Sequence, residues 1–188
     1  MRALITGAAG SGTTTLAAAL AERWSAVAIE ADSYFWLPTD PPFNTKRDPE
    51  QRRAMLEQHL RMHERAVVAG SVVGWGVDQL FDLVVFLYVE TAVRIERLRL
   101  REAALFGRAD PAFLLWASQY DQGPPEGRSL AKHEAWLRTL SCPAIRLVGA
   151  RSVGEQMALI AEAVPNPSIE RTSSSKLRLL PAAAHVER

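Results

Sequence analysis

The stretch Gly7-Ala8-Ala9-Gly10-Ser11-Gly12-Thr13-Thr14 constrains this chain more than any other. Its closely spaced glycines suit a backbone that must curl tightly, because glycine enters left-handed conformations without a steric penalty. The flanks matter as much. Ala3–Thr6 is a short apolar run of strand length. From Thr13 to Trp24, an alanine-rich segment places Leu16, Ala19, Leu20 and Trp24 at helical spacing. A strand that turns through glycines into a helix gathers backbone N–H groups around one point. The start of the helix adds unpaired N–H groups and a positive dipole end, so the turn is an anion cradle.

The rest of the chain repeats the alternation. Val27–Ala31, Ala66–Val73, Leu83–Val89 and Ala144–Val148 read as further strands, and Val-rich runs of this length suit burial on both faces. Between the second and third, Pro38, Pro41, Pro42 and Pro49 punctuate a loop. Asp48-Pro49-Glu50-Gln51 then opens a helix with a cap, a first-turn proline and a capping-box residue. Thr91 is expected to cap an arginine-rich helix running to about Phe106. Leu114–Tyr120 and Lys132–Leu137 are shorter helices, and Ser152-Val153-Gly154-Glu155 is a capping box for a last helix ending near Val164. Strands alternating with helices predict an α/β fold with a parallel sheet. After Val164, Pro165-Asn166-Pro167 and Ser173-Ser174-Ser175 show no periodicity. Residues 165–188 are expected to be a disordered tail without a function of its own.

Composition narrows the function classes. A chain of 188 residues, 48% hydrophobic and 23% charged, fits one domain with a core. A net charge of +1 argues against nucleic acid or an anionic membrane as partner, whereas a phosphorylated ligand needs only local positive charge. The lone Cys142 makes no internal disulfide, so a reducing, cytoplasmic compartment is expected, with a buried and non-catalytic thiol. No signal peptide and no membrane-spanning run is visible.

With a strand before it and a helix after it, Gly7–Thr14 has the context of a Walker A phosphate loop. A hydroxyl at Thr14 suits Mg²⁺. The lysine expected after Gly12 is Thr13, so main-chain amides must hold the anion and another cation must do the lysine's work. The alternative is a glycine-rich turn of some other α/β fold; a dinucleotide fingerprint is absent. Asp32, ending the second strand, is placed to orient Mg²⁺ or take a proton from an attacking hydroxyl, or else caps a loop. Glu30 shares its strand face. Gly70, Gly74 and Gly76 allow a ligand close to the backbone, or tight packing on the loop. Arg94, Arg97 and Arg101 fall on one helix face, with Arg108 beyond. They either neutralise a transferring phosphoryl group or form a solvated face paired with Glu96 and Glu102. Tyr34-Phe35-Trp36-Leu37, Phe43 and Lys46-Arg47 suit a flat or sugar-like acceptor, or a packing element. His59 and His63 are expected to be a surface pair, with no third metal ligand in view.

These residues together resemble the adenylate kinase-like branch of P-loop kinases, which includes nucleotide, shikimate and gluconate kinases. The resemblance spans about residues 1–164. It rests on Gly7–Thr14, Asp32, Ser71, Gly74, Arg97-Leu98-Arg99-Leu100-Arg101-Glu102 and Phe106-Gly107-Arg108. Gly12-Thr13-Thr14-Thr15, Asp32-Ser33-Tyr34-Phe35-Trp36, Ser71 through Gly76, Tyr120-Asp121 and His133-Glu134-Ala135-Trp136 resemble small bacterial members of unassigned substrate. The resemblance implies a three-layer αβα sandwich with a five-stranded parallel sheet in order 2-3-1-4-5, and a lid at about 94–128. It implies ATP on Gly7, Ala8, Ala9, Gly10, Ser11, Gly12, Thr13, Thr14 and Thr15, Mg²⁺ on Thr14 and Asp32, and a small-molecule phosphoryl acceptor. Asp32, Arg97, Arg101 and Arg108 would serve transfer, and Arg151, within Gly149–Val153, would touch the adenine. Adenylate kinase itself keeps the lysine that Thr13 replaces, so a nucleotide-binding module or an ATPase without kinase activity stands beside the kinase reading.

Overall fold

The computed structural model describes residues 1–123, 127–164 and 177–179. Its sheet has the order β2-β3-β1-β4-β5-β6, with β1 at Arg2–Gly7, β2 at Val27–Glu30, β3 at Ala66–Ala69, β4 at Leu83–Tyr88, β5 at Ala144–Val148 and β6 at Leu177–Leu179. All pairings are parallel. The first five strands carry the expected 2-3-1-4-5 order. β6 is a short addition beside β5, inside the segment expected to be a disordered tail; residues 165–176 and 180–188 of that segment lie outside the described residues.

Alternation along each strand feeds two cores, one on each face of the sheet. Leu4, Val68, Val84 and Phe86 point to the face covered by α3 (Pro49–Met62) and α6 (Leu130–Leu137). Ala3, Ile5, Val67, Val85 and Leu87 point to the face covered by α1 (Thr13–Trp24) and α7 (Val153–Ala163). This is why the strands read as unbroken apolar runs: a parallel sheet with helices on both sides has no wet face. Each fully buried Leu, Val or Phe is worth about 1.5–3 kcal/mol of transfer free energy. From β1 the chain crosses to β2 on one side, and it later reaches β4 on the other. The crevice at the carboxyl end of β1 is therefore the topological switch point where α/β proteins bind ligands.

Several boundaries differ from the sequence reading. The third strand stops at Ala69 because Gly70, at φ 116, turns the chain away just where its neighbour β2 ends at Glu30. The second strand runs into a four-residue helix α2 (Asp32–Phe35) instead of a loop. Two further helices, α4 (Thr91–Phe106) and α5 (Pro111–Ser118), follow β4. Thr91 does not cap α4: the cap position is Glu90, and the Thr91 hydroxyl donates to Asp121 at 2.7 Å. Asp48 and Ser152 cap α3 and α7 as their sequences predict, the latter in a full capping box. Among the described residues, no helix is long and apolar enough to cross a membrane.

Candidate functional site

The glycine loop is wedged between β4 and α4. A Cβ on Gly7 would stand 2.5 Å from the Leu87 carbonyl oxygen, and one on Gly10 would stand 2.6 Å from that of Arg94. Gly10 and Gly12 have φ of 83° and 93°, and Gly12 supplies the left-handed cap position of α1. Ser11 is buried and turned inward, its hydroxyl donating to the Ala8 carbonyl at 2.7 Å and its N–H to the same oxygen at 3.1 Å. It therefore does not cap α1, which has no side-chain cap at all. Asp48, Asp110, Ser129 and Ser152 do cap α3, α5, α6 and α7. The first amide of α1 to bond back is that of Leu16, to Gly12 at 3.0 Å, so the amides of Thr13, Thr14 and Thr15 open the helix toward whatever lies before it. Thr14 and Thr15 are exposed and Thr13 is half-buried.

Arg94 is what holds this loop from behind; helical spacing groups it with Arg97 and Arg101 on one face, but it alone of the three is buried. Its side chain is 0% exposed. Nε donates to the Val89 carbonyl at 2.9 Å, and Nη1 to the carbonyls of Ala9 and Ala117 at 3.3 and 3.1 Å. Nη2 donates to Thr91 Oγ1 at 2.7 Å and lies 3.9 Å from Asp121. The Tyr120 ring lies 5.2 Å away across the guanidinium. Burial pulls the Arg94 pKa down, and the Asp121 carboxylate opposes that. With its donors committed to carbonyls, Arg94 is a structural strut and does not stand in for the missing lysine.

The other predicted residues make their contacts with residues outside the glycine loop. Asp32 is exposed at the start of α2, directly after β2. Arg97, Arg101 and Arg108 are exposed. Arg101 sits two turns past Arg94, about 10 Å along the axis, and pairs with Glu102 at 2.9 Å. Arg108 lies beyond α4 in a surface hollow with Glu102, Phe106 and Asp110. Glu96 pairs with Arg99 at 2.7 Å. Arg151 folds back onto the end of β5, its Nε donating to the Val148 carbonyl at 3.1 Å. Phe35 stacks near Trp75, and the Arg52 guanidinium lies 4.7 and 4.9 Å from those two rings. Arg47 braces the segment by donating to the Tyr34 carbonyl at 3.1 Å. His59 has its ring 5.0 Å from that of His63 and shares a hydrogen bond with the Tyr34 hydroxyl. Cys142 is half-buried, and burial pushes its thiol up to about 11, far from nucleophilic use.

One cluster carried no local signal. His133, buried on α6, brings together Thr6 of β1, Ser71 after β3 and Tyr120 after α5. These partners lie as much as 127 residues apart, so no periodicity or spacing joins them. The pairs Tyr120-Asp121 and His133-Glu134 stood out only through family likeness.

Strand, glycine loop and helix at the switch point are matched in known proteins. Residues 4–105 match the AAA domain family. The chain belongs to that family. The match runs from β1 to the end of α4, and so includes the phosphate loop, Asp32, Ser71 and Arg94; Arg108, Tyr120, His133 and Arg151 lie outside it. The chain is also 40% identical to YqaC of Bacillus subtilis strain 168, an uncharacterized protein, over 165 residues covering 81% of this chain and 91% of that one. Its fold is that of P-loop kinases. A shikimate kinase from Bacteroides thetaiotaomicron superposes with a TM-score of 0.53 at 18% identity, covering 88% of this chain and 99% of that structure. A gluconokinase from Sinorhizobium meliloti does so with a TM-score of 0.50 at 20% identity, covering 89% and 97%. At such identities the likeness is one of fold.

Proposed function

We propose that this protein is an ATP-dependent phosphotransferase of the adenylate kinase-like type, acting on a nucleotide or another small-molecule acceptor. The observation that carries the reading is the uncapped start of α1. Gly10 and Gly12 curl the loop, Ser11 is tied inward, and the amides of Thr13, Thr14 and Thr15 have no side-chain cap, which leaves them to serve an anion. At Gly7 and Gly10 a side chain would collide with the main chain behind the loop, so these glycines keep the loop in its curled shape. Thr14 and Asp32 offer the exposed oxygen donors that a hard cation takes, so they would hold Mg²⁺, which supplies charge neutralisation between phosphate oxygens when bound. Asp32 orients the acceptor hydroxyl or phosphate. Arg97, Arg101 and Arg108 bring positive charge to the transferring group as the segment after β4 closes over it. A cytoplasmic setting fits a lone free thiol.

Titration calorimetry of the full chain with Mg–ATP and other triphosphates tests the cradle. A coupled transfer assay across nucleoside monophosphates and small polyols tests the chemistry. Binding with turnover of one acceptor is the expected result; absence of binding by a natively folded protein overturns the reading. Thr13 favours a second reading, a nucleotide-binding regulatory module or an ATPase without an acceptor. Thr13→Lys separates the two: activity created where none existed identifies a binder, and activity harmed identifies Thr13 as part of a working site.

A further inference from the structure

We propose that Ser71 contacts a phosphoryl oxygen of the ligand in the crevice beside the phosphate loop, and that Tyr120 and His133 fix the direction in which its proton points. The inference rests on the loop being a triphosphate site. It adds a hydroxyl contact from the turn after β3 and two positioning residues, one just after α5 and one on α6.

Position comes first. β3 is the neighbour of β1, and β1 runs straight into the glycine loop. The Gly70 amide still bonds Ile5 at 3.0 Å, so Ser71 is the first residue to leave the sheet, at the switch-point crevice. Ser71 is half-buried, with its hydroxyl 3.2 Å from His133 Nε2.

The order of protons follows from burial. His133 Nδ1 lies 2.7 Å from the Tyr120 hydroxyl, and Nε2 also lies 3.4 Å from Thr6 Oγ1. Tyr120 is buried and burial raises its pKa, so the phenol keeps its proton. Among the described residues that proton has one acceptor, His133 Nδ1. Leaving a buried hydroxyl unpaired costs about 1–3 kcal/mol, which decides the direction: Tyr120 donates and Nδ1 accepts. Burial, with Arg128 adding to it, depresses His133 to about 4, so the ring is neutral and its single proton stands on Nε2. Nε2–H donates to Ser71, the nearer of its two hydroxyls. Ser71 Oγ is thereby used as an acceptor, and its own proton has no acceptor among the described residues. It is free for the crevice. A purely space-filling residue at 133 would leave that hydroxyl free to rotate. The relay gives it one orientation before ligand arrives, which is what a phosphoryl contact needs.

The test uses the full-length chain labelled with ¹⁵N, followed by NMR at neutral pH with Mg–ATP as probe. The free protein should show His133 neutral with the proton on Nε2, and Tyr120→Phe should abolish that single tautomer. Mg–ATP should shift both the loop amides and the His133 Nε2 signal. Ser71→Ala should cancel the His133 shift and weaken Mg–ATP binding by roughly tenfold or more, the worth of a hydrogen bond to a charged group. His133→Phe should weaken it similarly, and His133→Gln, which keeps a donor near Nε2, should recover most of the loss. A proton on Nδ1 in the free protein, or Ser71→Ala binding within about twofold of the native chain, overturns the inference. Loop amides that shift while His133 does not overturn it and leave the triphosphate reading intact. If neither moves, the triphosphate reading falls and this one with it.

Discussion

The guanidinium of Arg94 donates to the carbonyl of Ala9 at 3.3 Å, tying the middle of the phosphate loop to a helix 85 residues further along the chain. The same side chain satisfies Val89 at the end of β4 and Ala117 in α5. A planar fork with five donors can reach all of these at once; an ammonium cannot. The loop's shape is therefore set by contacts from behind as well as by its own glycines.

Arg94→Met should destabilise the protein by about 3 kcal/mol or more, because it strands buried carbonyls and the Asp121 carboxylate together. Arg94→Lys should recover little of that. Urea unfolding measures both. A loss below about 1 kcal/mol would show that water or neighbouring groups satisfy these carbonyls and that the strut is dispensable.

Gly10 and Gly12 predict a contrast within one loop. Both have positive φ, but a Cβ on Gly10 meets the Arg94 main chain at 2.6 Å whereas one on Gly12 meets nothing within 4 Å. Gly12→Ala should cost about 1–2 kcal/mol of backbone strain and leave a folded protein. Gly10→Ala adds a steric clash that only movement of the loop or of α4 relieves. Its melting temperature should fall further, and Mg–ATP affinity should drop by more than for Gly12→Ala. Equal effects in calorimetry and thermal melts would mean that the loop and α4 move apart freely.

How far the sequence could be read depended on whether the information was local. The strand–glycine turn–helix unit was legible because its parts are contiguous, and so were the caps at Asp48 and Ser152. The sheet's order came from a family likeness resting on such local motifs. Arg94 was not legible. Helical spacing places it with Arg97 and Arg101, but α4 presents one arginine to the core because α5 and Asp121 pack over its first turn. Nothing near residue 94 announces what residues 117 and 121 will do. The third strand was read as too long for a similar reason: Val72 and Val73 are apolar for the packing of Trp75 and its neighbours, after Gly70 has turned the chain out of the sheet. The Thr6–Ser71–Tyr120–His133 cluster is wholly tertiary.

The exposed arginines of α4 and the turn after it should separate stability from activity. Arg97, Arg101 and Arg108 are exposed, and the Arg101–Glu102 pair is a surface ion pair of the kind worth at most about 1 kcal/mol. Alanine at each should change unfolding free energy by less than about 0.5 kcal/mol. If these side chains stabilise transferring charge, the same variants should lose on the order of 10²-fold in turnover with little change in Mg–ATP affinity. Turnover that survives removal of all three would leave the segment after β4 as a solvated helix and move the catalytic charge elsewhere.

His133 makes stability depend on pH in a defined direction. Its imidazole titrates near 6.5 when unfolded and is depressed to about 4 in the fold, chiefly by burial. Between these values the unfolded chain binds a proton that the folded chain refuses, so stability rises with pH. The contribution is fully retained above about 6.5 and lost progressively as pH falls toward 4. At about 1.4 kcal/mol for each pKa unit, the loss across the window approaches about 3 kcal/mol. Glu57, Glu96 and Glu155, whose pKa values are lowered by hydrogen bonds to Arg61, Arg99 and Ser152, also weaken the fold in acid, but they do so equally in a variant. The difference between the native chain and His133→Gln therefore isolates the histidine. Urea unfolding of both at a series of pH values should give curves that converge as pH falls, because the native chain alone loses this term. Curves that stay parallel across the window would mean that the folded state protonates His133 as readily as the unfolded one, and that α6 leaves the ring open to water.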